Sequence, residues 1–346
     1  AMNHTHPGED LVVDVAVVGG GVIGLATAWR LRRDGLTVAV IDPTPGRGAS
    51  HAAAGMLAPA SEVRWQQDEL LPLMTTSAAE YPLFVREIEA AAGHAVGHST
   101  TETLLCAADP ADRQSLADLQ QHQVWHGLRV EPLTGRRARA LEPALSPRLA
   151  GAFLVPDDHQ VDPRRLVVGL LSALTAPGGG PPARLVPDTA VETITGAKGA
   201  VGGVRLPDGS TVTAAETVLA PGLGLPRISG LPTALDLPLR PVHGDILRAR
   251  LPEGAPPLLS RTVRGLVGGR PVYLVPRPDG EIVLGATARE DGIEQPTTGG
   301  VHALLRDAQA LVPAAADLEL HEVLARARPA SPDDLPFLGR VRDADG

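Results

Sequence analysis

Cysteine is nearly absent from this 346-residue chain, with Cys106 standing alone. A single thiol excludes disulfides within the chain and thiolate metal clusters. Cys106 lies in the apolar run Thr103–Leu104–Leu105–Cys106–Ala107, where a buried, inert thiol is expected. An excess of positive charge is also missing. The formal charge is −9, which argues against nucleic acid or an anionic membrane as the main partner. No apolar run is long enough to cross a bilayer and no signal peptide precedes the first strand, so the cytoplasm is the expected address. The eleven histidines are scattered, with no pair at zinc-site spacing and a third ligand nearby, so no metal is expected. What remains is ordinary for a globular protein: 43% hydrophobic and 21% charged residues, in a chain long enough for two domains.

One motif dominates what is present. Asp14–Val15–Ala16–Val17–Val18 reads as a buried strand, followed by Gly19–Gly20–Gly21–Val22–Ile23–Gly24 and then Val38–Ala39–Val40–Ile41–Asp42. Gly19 permits a tight turn, Gly21 lets the backbone approach a pyrophosphate, and Gly24 lets the helix pack close to the sheet. The helix N-terminus offers unpaired N–H groups and the positive end of its dipole to the phosphates. Asp42, eighteen residues past Gly24, stands where a carboxylate accepts ribose hydroxyls. The pattern predicts a site for an ADP-bearing dinucleotide without saying which cofactor carries the ADP.

Beyond this βαβ opening, periodicity predicts helices over Asp68–Gly93 with a break at Pro82, over Pro110–His126 capped by Asp109, and over Arg164–Leu174 started by Asp162–Pro163. Strands are expected at Thr101–Ala107, Leu149–Val155, Arg184–Val186, Val191–Thr195, Val201–Leu206, Thr211–Leu219, Leu239–Arg250, Val272–Val275, Glu281–Gly285 and Leu318–Leu324, with a helix at Thr298–Leu311. His243 and Asp245, two apart on one of these strands, are read as sheet-surface residues rather than an acid–base pair. The expected fold class is α/β with mixed α+β character. A Rossmann-like domain from 11–70, 160–230 and 328–346 is interwoven with an antiparallel-sheet substrate domain from 71–159 and 231–327.

Past Asp42, the segment Gly48–Ala49–Ser50–His51–Ala52–Ala53–Ala54–Gly55–Met56–Leu57–Ala58–Pro59 resembles the second flavin-contacting loop of the D-amino-acid oxidase superfamily. More narrowly it is similar to the glycine oxidases of thiamine biosynthesis. Val272–Tyr273–Leu274–Val275–Pro276–Arg277 with Asp279–Gly280, Gly285–Ala286–Thr287, and Arg328–Pro329–Ala330–Ser331–Pro332–Asp333 with Leu335–Pro336 continue the resemblance in order. Small residues from Ala52 to Gly55 let a backbone lie beside a flat ring system. The resemblance implies noncovalent FAD touched by Val22, Ile23, Asp42, Pro43, Ser50, His51, Gly55, Met56, Leu57 and Val191, many through backbone groups. It also implies that Arg328 binds the substrate carboxylate, since a guanidinium offers a planar pair of donors that stays charged in a dry pocket. Tyr273, one of two tyrosines, would add a hydrogen bond to the same group.

The implied activity is oxidative deamination of glycine or a small related amine, by hydride transfer from the α-carbon to flavin N5. No residue need act as a catalytic base if the amine is neutral. The imine would yield glyoxylate and ammonia or enter thiazole synthesis, and oxygen would be reduced to hydrogen peroxide. A thiazole synthase partner and a homo-oligomer are expected. Two alternatives stay open: a related sarcosine or D-amino-acid oxidase or dehydrogenase, and a flavin-binding protein without turnover. The relatives continue beyond the Leu335–Gly339 block into a strand and a closing helix, so a further segment is expected after the Asp343–Gly346 turn.

Overall fold

The computed structural model describes residues 9–195, 200–231, 235 and 237–341; the Asp343–Gly346 turn expected from the sequence lies outside the described residues. Strand Leu11–Val18 pairs in parallel with Val38–Ile41 on one side and Thr211–Leu219 on the other. Arg184–Val186 joins in parallel beyond Val38–Ile41, while Val201–Arg205 and Glu192–Thr195 add antiparallel strands at the far edge. The second half of the first strand, Val15–Val18, is apolar without a break and buried on both faces, while Val12 and Asp14 nearer its start are exposed. Val15 and Val17 pack with Leu25 and Trp29 of helix Val22–Arg33 and with Leu166, Leu170 and Leu174 of helix Pro163–Thr175. Ala16 and Val18 pack on the opposite side with Ile41, Val186 and Val204.

An eight-stranded sheet carries the rest of the chain. Its order is Glu319–Ala330, Arg240–Arg250, Glu281–Gly285, Arg270–Pro276, Thr262–Val267, Thr103–Ala107, Gly151–Val155 and Glu131–Leu133. Neighbours run antiparallel except Thr262–Val267 beside Thr103–Ala107. Helix Thr298–Leu311 closes one face with Leu304, Ala308 and Leu311. A two-stranded ribbon, Met56–Leu57 with His159–Gln160, ties the segment after the first sheet to the start of helix Pro163–Thr175. Among the described residues no helix is long and apolar enough to cross a membrane.

Several expected elements differ for physical reasons. Helix Leu71–Ala92 passes through Pro82 without breaking, because Val85 and Ile88 beyond it are buried in the core and hold the axis. The last described strand runs to Ala330 rather than ending near Leu324, since its pairing with Arg240–Arg250 continues across Pro329, which faces Pro241. Strand Thr262–Val267 carries no clear local signal, because Arg264 and Gly265 interrupt its apolar pattern. Gly265 is required there, as a Cβ would run into the Cys106 carbonyl and stand 2.8 Å from Leu311. Glu131–Leu133 is too short, and carries Pro132, to give a signal. His243 and Asp245 are buried rather than on a surface, because their strand is internal to the sheet and flanked by Arg289 and Thr297. The histidines include one spatial cluster: His122 and His126, an i, i+4 pair at the end of one helix, meet Asp68, a third donor that lies too far along the chain for spacing to reveal.

Asp158 anchors the chain leaving the ribbon. Fully buried, it accepts the N–H groups of Ala60 at 3.0 Å and Ser61 at 3.1 Å together with the Ser61 hydroxyl. Burial pushes its carboxyl above the usual range, against the pull of these donors. Asp158→Ala leaves the three donors unanswered and is expected to cost about 2–4 kcal/mol. Thermal unfolding reads this directly; an unchanged Tm would show that Asp158 anchors nothing.

Candidate functional site

The glycine turn and the end of the second strand converge as the sequence predicts. Gly19 has φ +103°, and a Cβ there would overlap the Ala220 carbonyl; a Cβ on Gly24 would overlap the Gly19 carbonyl. Gly21 is different, because a Cβ on it would meet nothing nearer than Ser50 Oγ at 3.5 Å. Its outer face is therefore open to a ligand. Val22 N–H donates to Ser50 Oγ at 3.0 Å, and Leu25 N–H makes the first intrahelical bond, to Gly21. Among the described residues the N–H groups of Ile23 and Gly24 take no partner, which suits an anion at this helix start. Asp42 receives Gly20 N–H and Thr44 N–H, each at 2.7 Å, on different oxygens. Each oxygen keeps a lone pair for a ribose hydroxyl.

Ile23 and Pro43 are exposed beside this turn. The Val191 N–H donates to the Arg205 carbonyl and its own carbonyl accepts from the N–H and hydroxyl of Ser229.

The alanine-rich loop is gripped by three arginines. Arg164 Nε donates to the His51 carbonyl at 3.0 Å, Arg248 Nη2 to that of Ala53 at 3.5 Å, and Arg277 Nη2 to that of Ala54. Arg277 also donates to Gln160 Oε1 at 2.6 Å and the Val161 carbonyl at 3.1 Å. Arg248 is compensated by Glu281 at 2.7 Å, and Arg164 by Glu322 at 2.9 Å. Among the described residues Arg277 has no such close carboxylate, and burial pulls its pKa down. Burial and the Arg164 charge also lower the His51 pKa, keeping the ring neutral near pH 7. Gly55 adopts φ +74°, where a Cβ would collide with the Val161 carbonyl and with Pro163. Its own carbonyl accepts Val161 N–H at 2.8 Å. The loop thus presents one shape, lined by Ala52 and Ala54, to which Met56 and Tyr273 are adjacent in one apolar cluster.

Tyr273 sits opposite Gly285 on one neighbouring strand and Arg264 on the other. Its ring lies across Gly285, where a Cβ would stand 2.6 Å from Cζ. Desolvation pushes its hydroxyl up to about 12, while the charge of Arg328 acts in the opposite direction. Arg328 lays its guanidinium over Gly244, whose absent Cβ would be 2.7 Å from Nη2. It donates to the Thr287 carbonyl at 3.3 Å and pairs with no carboxylate among the described residues. Arg264, by contrast, is neutralised by Glu62 and reaches Met56 Sδ at 3.8 Å. Asp245 is committed to Arg289 at 2.7 Å and to Thr297, so it makes no pair with His243.

The structure therefore brings Gly19, Gly21, Val22, Gly24, Asp42 and Ser50 together at one end, and Gly55, Met56, Leu57, Tyr273 and Arg328 along the loop and the larger sheet. Sequence reasoning missed Arg164, Arg248, Arg277 and Glu322. A signal existed for Arg248: it shares a strand face with buried Ile246, and a charge at an inward position needs partners. Cys106 is fully buried and its thiol is pushed up to about 12 by desolvation, so it offers no thiolate to a flavin. Acid denaturation should release the cofactor intact. Arg277→Leu leaves the Ala54 and Val161 carbonyls without this donor and is expected to cost about 3 kcal/mol. It should also lower the flavin content of purified protein; full flavin content at unchanged Tm would remove Arg277 from the account.

Comparison with known proteins agrees with this geometry. A glycine oxidase from Geobacillus kaustophilus is 34% identical over 342 residues, covering 96% of this chain and 85% of the relative. The crystal structure of glycine oxidase from that organism superposes with a TM-score of 0.83 at 31% identity, covering 96% of this chain and 86% of the other. The bifunctional protein ThiO/ThiG of Synechocystis is 33% identical over 331 residues, and there the chain spans 94% of itself but only 46% of the relative. The chain thus spans about half the length of these bifunctional relatives. The DAO family, described as FAD dependent oxidoreductase, matches residues 14–346. A turn open at Gly21, a loop clamped flat by arginines and a match running almost end to end carry one conclusion: the chain belongs to the DAO family of FAD-dependent oxidoreductases.

Proposed function

We propose that this protein oxidatively deaminates glycine or a small related amino acid, with Arg328 and Tyr273 holding the substrate carboxylate. The observation that carries this reading is the uncompensated guanidinium of Arg328, spread over Gly244 on the sheet that also bears Tyr273. A cation without an internal carboxylate is suited to an external one, and a planar fork binds it bidentately. Gly19, Gly21, Asp42, Ser50 and the Ala52–Leu57 loop would hold FAD, which when bound supplies the acceptor for hydride leaving the α-carbon and passes the electrons to oxygen as peroxide.

The chain's own part is positional. Fixing the carboxylate leaves the α-carbon one bond away, at a height set by the Arg328 and Tyr273 side chains. The His51–Ala54 backbone is held in place by three arginines on the carbonyls of His51, Ala53 and Ala54. Orientation of this kind supplies much of the rate in such a reaction. No side chain is assigned as a base: the amine must be neutral for its lone pair to assist hydride departure. The imine then hydrolyses to glyoxylate and ammonia or is handed to a thiazole-forming partner. The joining of ThiO with ThiG in the Synechocystis relative supports that partner.

Arg328→Ala is expected to lower kcat/KM for glycine on the order of a hundredfold or more, with flavin content unchanged. Activity within a few-fold of wild type would place the carboxylate elsewhere. The Tyr273 hydroxyl, pushed up to about 12, stays protonated and donating from neutral pH well into the alkaline range. Its titration should therefore not appear in the kcat/KM profile below about pH 11. Tyr273→Phe should lower kcat/KM by roughly tenfold without moving the alkaline limb. A limb that vanishes in the Phe variant would show that Tyr273 ionises in the working range.

A further inference from the structure

Helix Pro110–Trp125 ends beside the segment that leaves the Asp158 anchor, and three donor side chains meet at that junction. His122 and His126 are four residues apart, so they project from the same face of one helical turn. Asp68 comes from a different part of the chain, just before helix Leu71–Ala92. Its Oδ1 stands 3.1 Å from His126 Nε2 and 3.4 Å from His122 Nε2, and the three donor atoms lie within 4.8 Å of one another. Donors about 2.0–2.1 Å from a tetrahedral ion are separated by about 3.4 Å, so the cluster already has the dimensions of a coordination shell.

A second observation points the same way. His122 is only 8% exposed, and its Nε2 is buried without a hydrogen bond while aimed at the Asp68 carboxylate. A buried imidazole nitrogen that faces a carboxylate without a well-formed hydrogen bond is costly, and a metal ion between the two, taking the neutral ring as ligand, would satisfy both. The rings are also held in place: Trp65 packs on His122 at 4.1 Å between centroids, and Trp125 meets His126 edge-on at 4.7 Å. Asp68 is half exposed, which leaves an approach from solvent.

We propose that Asp68, His122 and His126 form a binding site for one divalent transition-metal ion of the zinc class. Two imidazoles and a carboxylate suit zinc, cobalt, nickel and copper over magnesium or calcium, and leave a position for water. The ion would clip the 60–70 segment to helix Pro110–Trp125. That segment is already attached there by Gln123 Nε2, which donates to the Ala60 carbonyl at 2.9 Å. It also carries Glu62, the partner of Arg264, whose strand neighbour is Tyr273. The site lies outside the residues that hold flavin and substrate, so the ion's part there would be to join segment and helix.

The test uses the FAD-loaded protein with His4 and His6 replaced by alanine, so that the N-terminal histidines do not contribute. Calorimetric titration with Zn2+ should show about one ion per chain, with a rise in Tm that chelator reverses. Cu2+ should quench emission from Trp65 and Trp125, which flank the cluster. His126→Ala and Asp68→Asn, both at partly exposed positions, should each weaken Zn2+ binding by at least about tenfold and abolish the Tm rise. The metal-free Tm of Asp68→Asn should stay near that of the parent, which separates loss of a ligand from loss of the fold. Stoichiometric binding that survives both substitutions would overturn the proposal, as would the absence of saturable Zn2+ binding in the parent.

Discussion

Everything at the candidate site depends on three guanidinium groups holding the carbonyls of His51, Ala53 and Ala54. A backbone with alanine side chains has little to pack with and little to fix its path, and left alone such a loop would sample many conformations. Arg164, Arg248 and Arg277 remove that freedom from three different directions: a helix N-terminus, an internal strand of the large sheet, and the turn after Arg270–Pro276. Lysine could not do this as well, because its single ammonium lacks the planar fork that satisfies two acceptors at once. The chain contains one lysine, Lys198, among 31 basic residues, so these tasks fall to arginine almost by composition. Arg32 works in the same manner elsewhere, its buried guanidinium donating to the carbonyls of Ala173, Ala176, Gly178 and Pro181 at the exit of helix Pro163–Thr175.

The same clamp joins the two sheets. Arg248 belongs to the eight-stranded sheet, yet its acceptor Ala53 lies in the loop that follows the first sheet's second strand. Arg277 links that loop to Gln160 and Val161, and Arg164 links it to Glu322 on the edge strand. The dinucleotide turn and the substrate-side strand are therefore not independent features. Ala52 and Ala54 share an apolar cluster with Ile246, Val275, Val283 and Leu324, and Tyr273 borders it. Movement of the loop would be felt at Tyr273, and through Gly244 and Gly285 at the strands that seat Arg328.

Much of this was legible in the sequence. The glycine turn, Asp42, the capping of two helices by Asp109 and Asp162, and the strands Arg184–Val186, Thr211–Leu219 and Glu281–Gly285 followed from local pattern, since each is decided within a few residues. Other features were not legible because long-range partners decide them. Pro82 is carried inside a helix by tertiary packing, and Thr262–Val267 is a strand because two neighbours pair with it. Asp245 is buried because Arg289, 44 residues away, neutralises it. The arginine clamp spans up to 223 residues in sequence, and Asp68 lies 58 residues from His126; neither separation leaves a local trace.

The most direct test is anaerobic mixing of the FAD-loaded protein with glycine, followed by flavin absorbance and then by admission of oxygen. The account predicts that glycine bleaches the flavin band. Oxygen should restore it, with peroxide and glyoxylate formed in equal amounts. An oxidised spectrum that persists in glycine, sarcosine and D-alanine alike would contradict it.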